Sequence, residues 1–476
     1  MSKLSFPPGD DNNDNTNISE DNVGYPPQQL NEIIDKLKNV YDNNDKMINK
    51  VEQFKIILNH KDILLILNEL SERNMENIAF YILSEFSITT NDEDKEKIYL
   101  DLYLRSIRQG QIKILEALDK LELNLMKMLD KEENTGLILS VIYSDIQIAK
   151  FFLKRCPEML EQPNKHGYTP LLLSVYNNDN LMFFLLANNL LSPISDGNSL
   201  CELAIRNENI DILNYLNPEL NKDKCIYTPS NLLLHFACCQ SNIDIFNAVA
   251  QMVKVYDHQI SSSLETPLHW AVMRGNYHIV KTLVQIYKDK QIEIDQKNVY
   301  GVTPFYLANI RQDKHICQVL FDNGADANES DKEGNTIAHV VSSLGDLKWL
   351  KYIIKHFNVN YYMKNEKGDS PFMMAVLNEN VDVVEYYIEL FKSNKNTLSA
   401  NLDWKNKYSQ TPLHAAVFTG NITIIKLLLA NKAKIHIADV NELTPYHYAY
   451  IEDKEDVIKV IHEMLGVDKV PYINFK

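Results

Sequence analysis

Residues 265–284 read ETPLHWAVMRGNYHIVKTLV, and residues 410–429 read QTPLHAAVFTGNITIIKLLL, so nearly the same segment occurs twice. Its first threonine position recurs every 30 to 41 residues, at Asp101, Thr135, Thr169, Ser199, Leu232, Thr266, Thr303, Thr336, Ser370, Thr411 and Thr444. A small residue follows five positions later in ten of the eleven copies, and Asn or Asp follows ten positions later in nine. Three positional rules that hold over so many copies predict a repeat array.

Each rule has a physical reason. Thr or Ser accepts a backbone N–H at a helix start, and Pro fits the first helical position. The first helix then ends near glycine, which adopts positive φ at least cost, as at Gly110, Gly275, Gly345 and Gly420. The following Asn or Asp caps a second helix, and the small residue lets neighbouring helices approach closely. The pattern therefore predicts an all-α chain of helix pairs joined by turns.

These motifs resemble the ankyrin repeat family. The closest matches are TPLHWA (266–271), TPLHAA (411–416) and GADANESDKEGNT (324–336). The resemblance implies a solenoid of about eleven helix-turn-helix repeats with short β-hairpin fingers, whose members mostly bind proteins through the fingers and the concave helix faces. It is weaker where Pro is missing, at 101–121 and 199–216. At 232–237 only His and Ala remain, and the Thr-Pro at 228–229 is interpreted as out of register.

Outside the repeats the pattern changes. We expect residues 1–27 to be disordered because they offer little to bury. Residues 28–97 contain helical stripes without the repeat signature and are interpreted as a helical N-terminal cap. The array is predicted to span 98–468, and 469–476 form a C-terminal tail. Repeat steps of 37 and 41 residues place insertions near 286–295 and 391–403.

Composition excludes several classes of protein. The chain is 45% apolar and 24% charged, which is typical of a globular protein, and its longest apolar runs are too short to span a bilayer. A net charge of −16 argues against nucleic acid or an anionic membrane as the main partner, because both would repel the chain. We also expect no direct membrane insertion. No secretory signal is evident, and six irregularly spaced cysteines indicate a reducing compartment. We therefore expect a cytoplasmic protein, or one in the host cell cytosol if it is an exported effector.

One cluster suggests chemistry. His235 precedes Cys238 and Cys239 by one helical turn, and Cys225 supplies a fourth group of the kind that binds zinc or forms a Cys–His nucleophile. However, Cys238 occupies a position where other copies have small apolar residues, and buried cysteine commonly packs as a small hydrophobe. His269, His339, His414 and His447 recur at one repeat position, which predicts a structural role. We expect no enzyme, no metal and no cofactor.

We therefore predict a non-enzymatic scaffold that binds one or more proteins, including host proteins, through a concave groove. On the first helices the resemblance places four candidate binding residues: Trp270, Arg274, Met374 and Phe418. On the fingers it places Tyr300, Met363, Trp404 and Tyr408. Aromatic residues, Met and Arg commonly anchor interfaces.

Two other functions remain open. One is an adaptor or effector whose region 28–97 carries a separate activity, and the other is an enzyme with the Cys/His site at 225–239. Asn328 lies at the finger position that asparaginyl hydroxylases modify in some members of the family that the motifs resemble. The ordinary role of such a residue is hydrogen bonding within the turn, so both roles remain open.

Overall fold

A computed structural model describes residues 93–120, 124–190, 192–195, 197–226, 228–253, 263–393 and 397–466, together with the isolated positions Glu32, Asp35, Ile66, Leu67 and Leu70. The predicted disordered segment 1–27, the tail 469–476 and most of the cap 28–97 lie outside these residues, so the domain boundaries stay predictions. The chain divides into two units, residues 1–192 and 193–476. The sequence pattern did not predict this division.

The described ranges of the first unit, from residue 93 onwards, contain three helix pairs. They are α1 (Glu93–Arg108) and α2 (Ile112–Lys120), α3 (Gly136–Ile142) and α4 (Ile146–Arg155), and α5 (Pro170–Tyr176) and α6 (Asn180–Asn188). Short 3₁₀ turns occur at Leu125–Lys127 and Pro157–Leu160. Each first helix packs on its pair mate, and α3 also packs on α1 and α5.

The part of the second unit that the structure describes contains eight helix pairs and one short extra helix. The pairs are α7 (Gly197–Arg206) and α8 (Ile210–Leu216), α9 (Asn231–Cys239) and α10 (Ile243–Met252), α11 (Pro267–Arg274) and α12 (Tyr277–Lys290), α13 (Pro304–Ile310) and α14 (Lys314–Asp322), α15 (Ile337–Leu344) and α16 (Leu347–His356), α17 (Pro371–Leu377) and α18 (Val381–Ser393), α20 (Pro412–Thr419) and α21 (Ile422–Ala430), and α22 (Pro445–Ile451) and α23 (Glu455–Leu465). The extra helix is α19 (Leu398–Leu402). Within this unit consecutive first helices pack side by side and form one layer. The predicted all-α fold class is confirmed.

The capping rules operate as predicted. The Thr303 hydroxyl accepts the backbone N–H of Tyr306, and Pro304 is the first helical residue of α13. Asp313 then caps α14 by accepting the N–H groups of His315 and Ile316. The predicted glycines do end first helices with positive φ, for example 76° at Gly345. Local sequence thus determines where most helix pairs start and turn.

Three predicted helix starts were wrong. Asp101, Ser199 and Leu232 lie inside α1, α7 and α9, which begin earlier. None of these three positions is a threonine or is followed by proline, whereas Thr135 and Thr336 cap α3 and α15 without a following proline. In α9 the cap is Ser230, whose hydroxyl accepts the N–H of Leu232.

The fingers are tight turns. In the turn that starts at Asp331, its carboxylate accepts the N–H groups of Glu333 and Asn335, and its carbonyl accepts the N–H of Gly334. A single antiparallel bridge joins Ser330 to Thr336. The described residues contain isolated bridges and no extended strand, so each predicted hairpin is reduced to its turn.

Consecutive turns are connected through the backbone. The N–H of Lys332 donates to the carbonyl of Tyr300, and the N–H of Glu366 donates to the carbonyl of Glu333. The same bond is repeated from Lys407 to Lys367 and from Val440 to Tyr408. These turns therefore form a continuous row beside the first helices.

The core lies between the two helices of each pair and between neighbouring pairs. The small residue of the first helix is fully buried in most copies, as Ala271, Ala308, Ala375 and Ala416 show. Larger side chains at these positions would push adjacent first helices apart. The two predicted insertions extend α12 to fourteen residues and add α19.

Candidate protein-binding surface of the second unit

In four repeats a histidine follows the capping threonine by three residues, and we call these residues, His269, His339, His414 and His447, the capping histidines. The first three connect their repeat to the next one. In α11 the backbone N–H of Thr266 donates to Nδ1 of His269 over 3.2 Å, so this nitrogen carries no proton. The other ring nitrogen, Nε2, therefore donates to the carbonyl of Val302 in the following repeat over 3.0 Å. His339 and His414 make the corresponding bonds to the carbonyls of Asp369 and Leu443. The predicted structural role of these histidines is confirmed.

Burial keeps these rings neutral. Desolvation lowers the pKa of His269 to about 4, and it lowers the pKa values of His339, His414 and His447 in the same direction. A neutral ring is required because Nδ1 must accept while Nε2 donates.

The Cys/His cluster is also part of the packing. Nε2 of His235 lies 3.2 Å from the carbonyl of Glu265, and the Cys225 thiol contacts the carbonyl of Tyr215. Burial raises the pKa of Cys238 well above its ordinary value, so the thiolate that zinc binding or nucleophilic attack requires is disfavoured. No group of three His, Cys, Asp or Glu side chains within the described ranges is arranged to hold a metal ion.

The candidate binding residues of the first helices lie on the elements that were predicted. Trp270 is half-buried; its indole N–H donates to the Glu265 carboxylate over 2.8 Å, and its ring packs edge-on against His235. Arg274 is exposed at the end of α11, and Met374 is half-buried in α17. Trp270 thus packs partly on its own neighbouring repeat.

The finger candidates differ in exposure. Tyr300 and Tyr408 occupy equivalent turn positions and are 68% and 53% exposed. Met363 is half-buried. Trp404 is half-buried too, its indole N–H donates to the carbonyl of Gly368, and the Lys364 ammonium lies 4.1 Å from its ring centre. The two tyrosines are therefore the finger candidates most available to a partner; that these residues bind stays a prediction.

A row of exposed apolar side chains was largely missed by sequence reasoning, which named Phe418 alone. Large apolar residues occupy the last turn of five successive first helices, and we call this row the inner stripe: Ile310, Leu344, Leu377, Phe418, Tyr450 and Ile451. Their exposed fractions range from 37% at Leu377 to 67% at Leu344. The available signal was a large apolar residue six to eight positions after the cap, where the helical period predicts exposure to solvent.

Acidic residues border the inner stripe. The loops that follow α13, α15, α17 and α22 contain five carboxylates: Asp313, Asp346, Glu379, Glu452 and Asp453. The same loops contain only two cations, Arg311 and Lys454. The Lys454 ammonium donates to the carbonyls of Val417 and Phe418 at the end of α20, so it is already engaged. An apolar row beside a negative edge suits a ligand that is both apolar and basic.

Asn328 joins two turns. Its side-chain oxygen accepts the backbone N–H of Asn360 over 2.7 Å, and its own N–H donates to Asp326. This geometry confirms the turn hydrogen bonding expected for this residue.

Comparison with known proteins agrees with this architecture. A family model described as Ankyrin repeats (3 copies) matches residues 201–298, 234–331, 305–399 and 387–471, which together exceed half of the chain. The chain belongs to the ankyrin repeat family. Ankyrin repeats are protein-interaction modules, and this chain is a scaffold of that kind.

Individual relatives are distant. The chain is 21% identical over 389 residues to the NAD-dependent deacetylase sir2B of Dictyostelium discoideum, a match that covers 71% of this chain and 50% of that protein. It is 26% identical over 190 residues to the nuclear factor NF-kappa-B p105 subunit of Gallus gallus, covering 38% of this chain and 18% of that protein. Among solved structures, the ankyrin repeat domain of Bcl-3 shows 24% identity and a TM-score of 0.37 and covers 43% of this chain and 87% of that one. The chain thus spans half or less of these two curated relatives.

No helix in the described ranges combines the length and the apolar character that crossing a membrane requires. All six cysteines are free thiols.

Proposed function

We propose that the second unit binds an apolar, basic segment of a protein partner along the inner stripe and the adjacent finger tips. The observation that carries this proposal is the row of exposed apolar side chains on successive first helices, which packed helices place roughly 8–10 Å apart. A row of this kind is unusual on a surface with no ligand, because it loses the free energy of apolar burial. The bordering carboxylates favour Lys or Arg in the partner.

The mechanism is rigid display. The capping histidines and the turn-to-turn hydrogen bonds hold the first helices and fingers in place before the partner arrives, so binding costs little ordering entropy on this side. Tyr300 and Tyr408 would contact the partner from the fingers, while Phe418 would contact it from the helices. The proposed partners include host proteins if the chain is an exported effector, and its free thiols support a reducing, cytoplasmic location.

A peptide-display selection on the full chain tests this proposal. Enriched peptides are expected to combine apolar residues with Lys or Arg, and their binding should weaken roughly tenfold or more in the variant Leu344→Ser, Phe418→Ser, Ile451→Ser. The matched control, Leu181→Ser, Leu220→Ser, Ile226→Ser, removes equally exposed apolar residues outside the stripe. Equal binding by both variants, or enrichment of acidic peptides on the stripe, would refute the proposal.

A second function has one supporting observation. The relative sir2B is by name a deacetylase, and in an adaptor or effector of this kind the repeats would select the target for a separate activity carried by residues 28–97. We propose nevertheless that this chain is itself no enzyme, because its one candidate Cys/His site is engaged in packing. Release of nicotinamide by the purified full chain, given NAD and an acetylated peptide, would favour the second function.

A further inference from the structure

Two second helices, α14 and α16, carry a positively charged surface, although the chain as a whole is negatively charged. Helix α16 contains Lys348, Lys351 and Lys355 and no acidic residue. Their spacing of three and four residues places them on one face of the helix. Together with Lys314 from α14, Tyr352 and His356 they form what we call the outer basic face. In a chain of net charge −16, such a concentration of cations calls for an explanation.

Ring contacts organise this face. Tyr352 stacks on Trp349 with ring centres 5.0 Å apart and on His356 at 4.5 Å. The Lys314 ammonium lies 4.8 Å from the Tyr352 ring centre, and this contact joins α14 to α16. Lys351 lies 4.9 Å from the ring centre of Tyr386, which joins α16 to α18. These cations are therefore held in position by the rings before any ligand binds.

Two cations of the face, one near each end of α16, are free. Within the described part of the chain, the ammonium groups of Lys348 and Lys355 have no carboxylate partner. Many other lysines are paired, for example Lys434 with Asp403 over 3.1 Å and Lys297 with Glu329 over 2.7 Å. Both Lys348 and Lys355 are exposed. Their charge is thus available to a ligand rather than spent inside the fold.

We propose that the outer basic face binds an acidic segment of a protein partner. Carboxylates one helical turn apart on the ligand match Lys348, Lys351 and Lys355, which are one turn apart on α16. The rings of Tyr352 and Trp349 form a rigid support under these cations. This surface lies on the second helices, so its ligand is distinct from the one proposed for the inner stripe, and the two proposals are independent.

The borders of the face exclude a long polyanion. Glu385 and Glu389 on α18 are exposed beside Tyr386, and Asp313 and Asp346 lie at the helix starts. Helix α16 has ten residues and is about 15 Å long. Nucleic acid or an anionic membrane would extend past it onto these carboxylates, whereas a short acidic segment would not.

A charge-reversal experiment on the full chain tests the proposal. The probe is a fluorescein-labelled peptide of repeated Glu-Ala-Ala-Glu-Ala-Ala-Ala units, measured by fluorescence anisotropy at low salt, where exposed charges are least screened. The variant Lys348→Glu, Lys351→Glu, Lys355→Glu should bind it roughly tenfold more weakly or worse. The matched control, Lys150→Glu, Lys154→Glu, Lys426→Glu, reverses three exposed lysines on other second helices and should bind as the unchanged protein does. Both variants carry a net charge of −22 instead of −16, because each substitution changes the charge by −2.

Two further measurements complete the test. The variant Tyr352→Ala keeps every charge but removes the ring under Lys314, and it should bind the peptide severalfold more weakly. Circular dichroism establishes that each variant is folded. The proposal would be overturned if both triple variants lost binding equally or if the unchanged protein did not bind the Glu peptide. It would also be overturned if the unchanged protein bound a peptide with Gln in place of Glu equally well, or bound oligothymidylate more tightly than the Glu peptide.

Discussion

At the scale of single residues, three oxygen-bearing side chains perform the same task in different chemical forms. Asp295, Asn328 and Asp403 each accept a backbone N–H from the following repeat, donated by Asp326, Asn360 and Lys434 respectively. The amide of Asn328 does this without charge, and Asp403 is paired with Lys434. Asp295 has neither advantage: its second oxygen is buried and makes no hydrogen bond to a described residue, and burial raises its pKa to about 6.

We predict that Asp295→Asn stabilises the protein above pH 6. An acid whose pKa is raised on folding contributes most below its unfolded pKa, near 3.8, and loses that contribution as pH rises through 6. The amide keeps the acceptor for Asp326 and removes the buried charge. With solvent screening taken into account, the gain is on the order of 1 kcal/mol at pH 7 and vanishes towards pH 4.

Urea unfolding at several pH values measures this gain. The matched control is Asp403→Asn, which loses the ion pair with Lys434 and is expected to be neutral or destabilising at pH 7. The prediction would be contradicted if the difference in free energy of unfolding between Asp295→Asn and the unchanged protein were the same at pH 4 and at pH 7.

At the scale of elements, each finger turn depends on a close approach between backbones. Gly334 has a φ of 77°, and a Cβ added there would lie 2.7 Å from the backbone nitrogen of Glu366 in the next turn. Gly167 occupies the same turn position with a φ of 80°, but no atom lies within 4 Å of its added Cβ. Both glycines adopt a positive φ, but only at Gly334 would a side chain also collide with the backbone of the next turn.

We predict that Gly334→Ala destabilises the protein more than Gly167→Ala. Both substitutions force a left-handed backbone conformation on alanine at a cost of about 1–2 kcal/mol. Gly334→Ala must also displace the next turn, which adds at least ~1 kcal/mol. Urea unfolding of the two variants measures the difference, and equal losses would show that the turn-to-turn contact contributes nothing.

The sequence predicted the start of a helix correctly where residues at that position determine it. A Thr-Pro pair defines a helix start by hydrogen bonding and by its fixed φ, so α11, α13 and α20 begin as expected. Thr135 and Thr336 cap α3 and α15 as expected without a following proline. Where the position has neither threonine nor proline, as at Leu232 in α9, the predicted start was wrong. The surfaces were harder to predict because they depend on packing across repeats: Lys314 meets Tyr352 only after the chain has formed two further helices. Exposure of the inner stripe likewise depends on which neighbour covers each side chain.

At the scale of the whole molecule, the capping histidines give the array one common response to acid. Their pKa values are all lowered by burial, and the rings belong to first helices from α11 to α22. A histidine whose pKa is lowered on folding contributes stability above its unfolded pKa, near 6.5, and loses it as pH falls towards the folded value. Protonation would also convert Nδ1 from an acceptor into a donor facing another donor.

We predict that stability falls steeply between pH 7 and pH 5. With a folded pKa of about 4, His269 alone accounts for about 2 kcal/mol of that loss at pH 5. The measurement is chemical unfolding in the Asp295→Asn background, which removes the opposing contribution of that carboxyl. In this background His269→Gln should be less stable at pH 7 and should show a shallower fall, whereas a pH-independent free energy of unfolding would be incompatible with neutral buried rings.

The row of turns has a consequence for how such a protein changes over time. Each turn is connected to the next by a bond between main-chain atoms, so no side chain at Tyr300, Glu333, Lys367 or Tyr408 takes part in it. These residues differ in charge and size along the row, yet the same main-chain hydrogen bond forms at every step. Mutation can therefore replace the residues at the finger tips one at a time while the framework beneath them persists. Side chains at the finger tips determine which partner binds, whereas main-chain bonds hold the turns in place. This surface can therefore acquire a new partner by substitutions that leave the protein folded at every step.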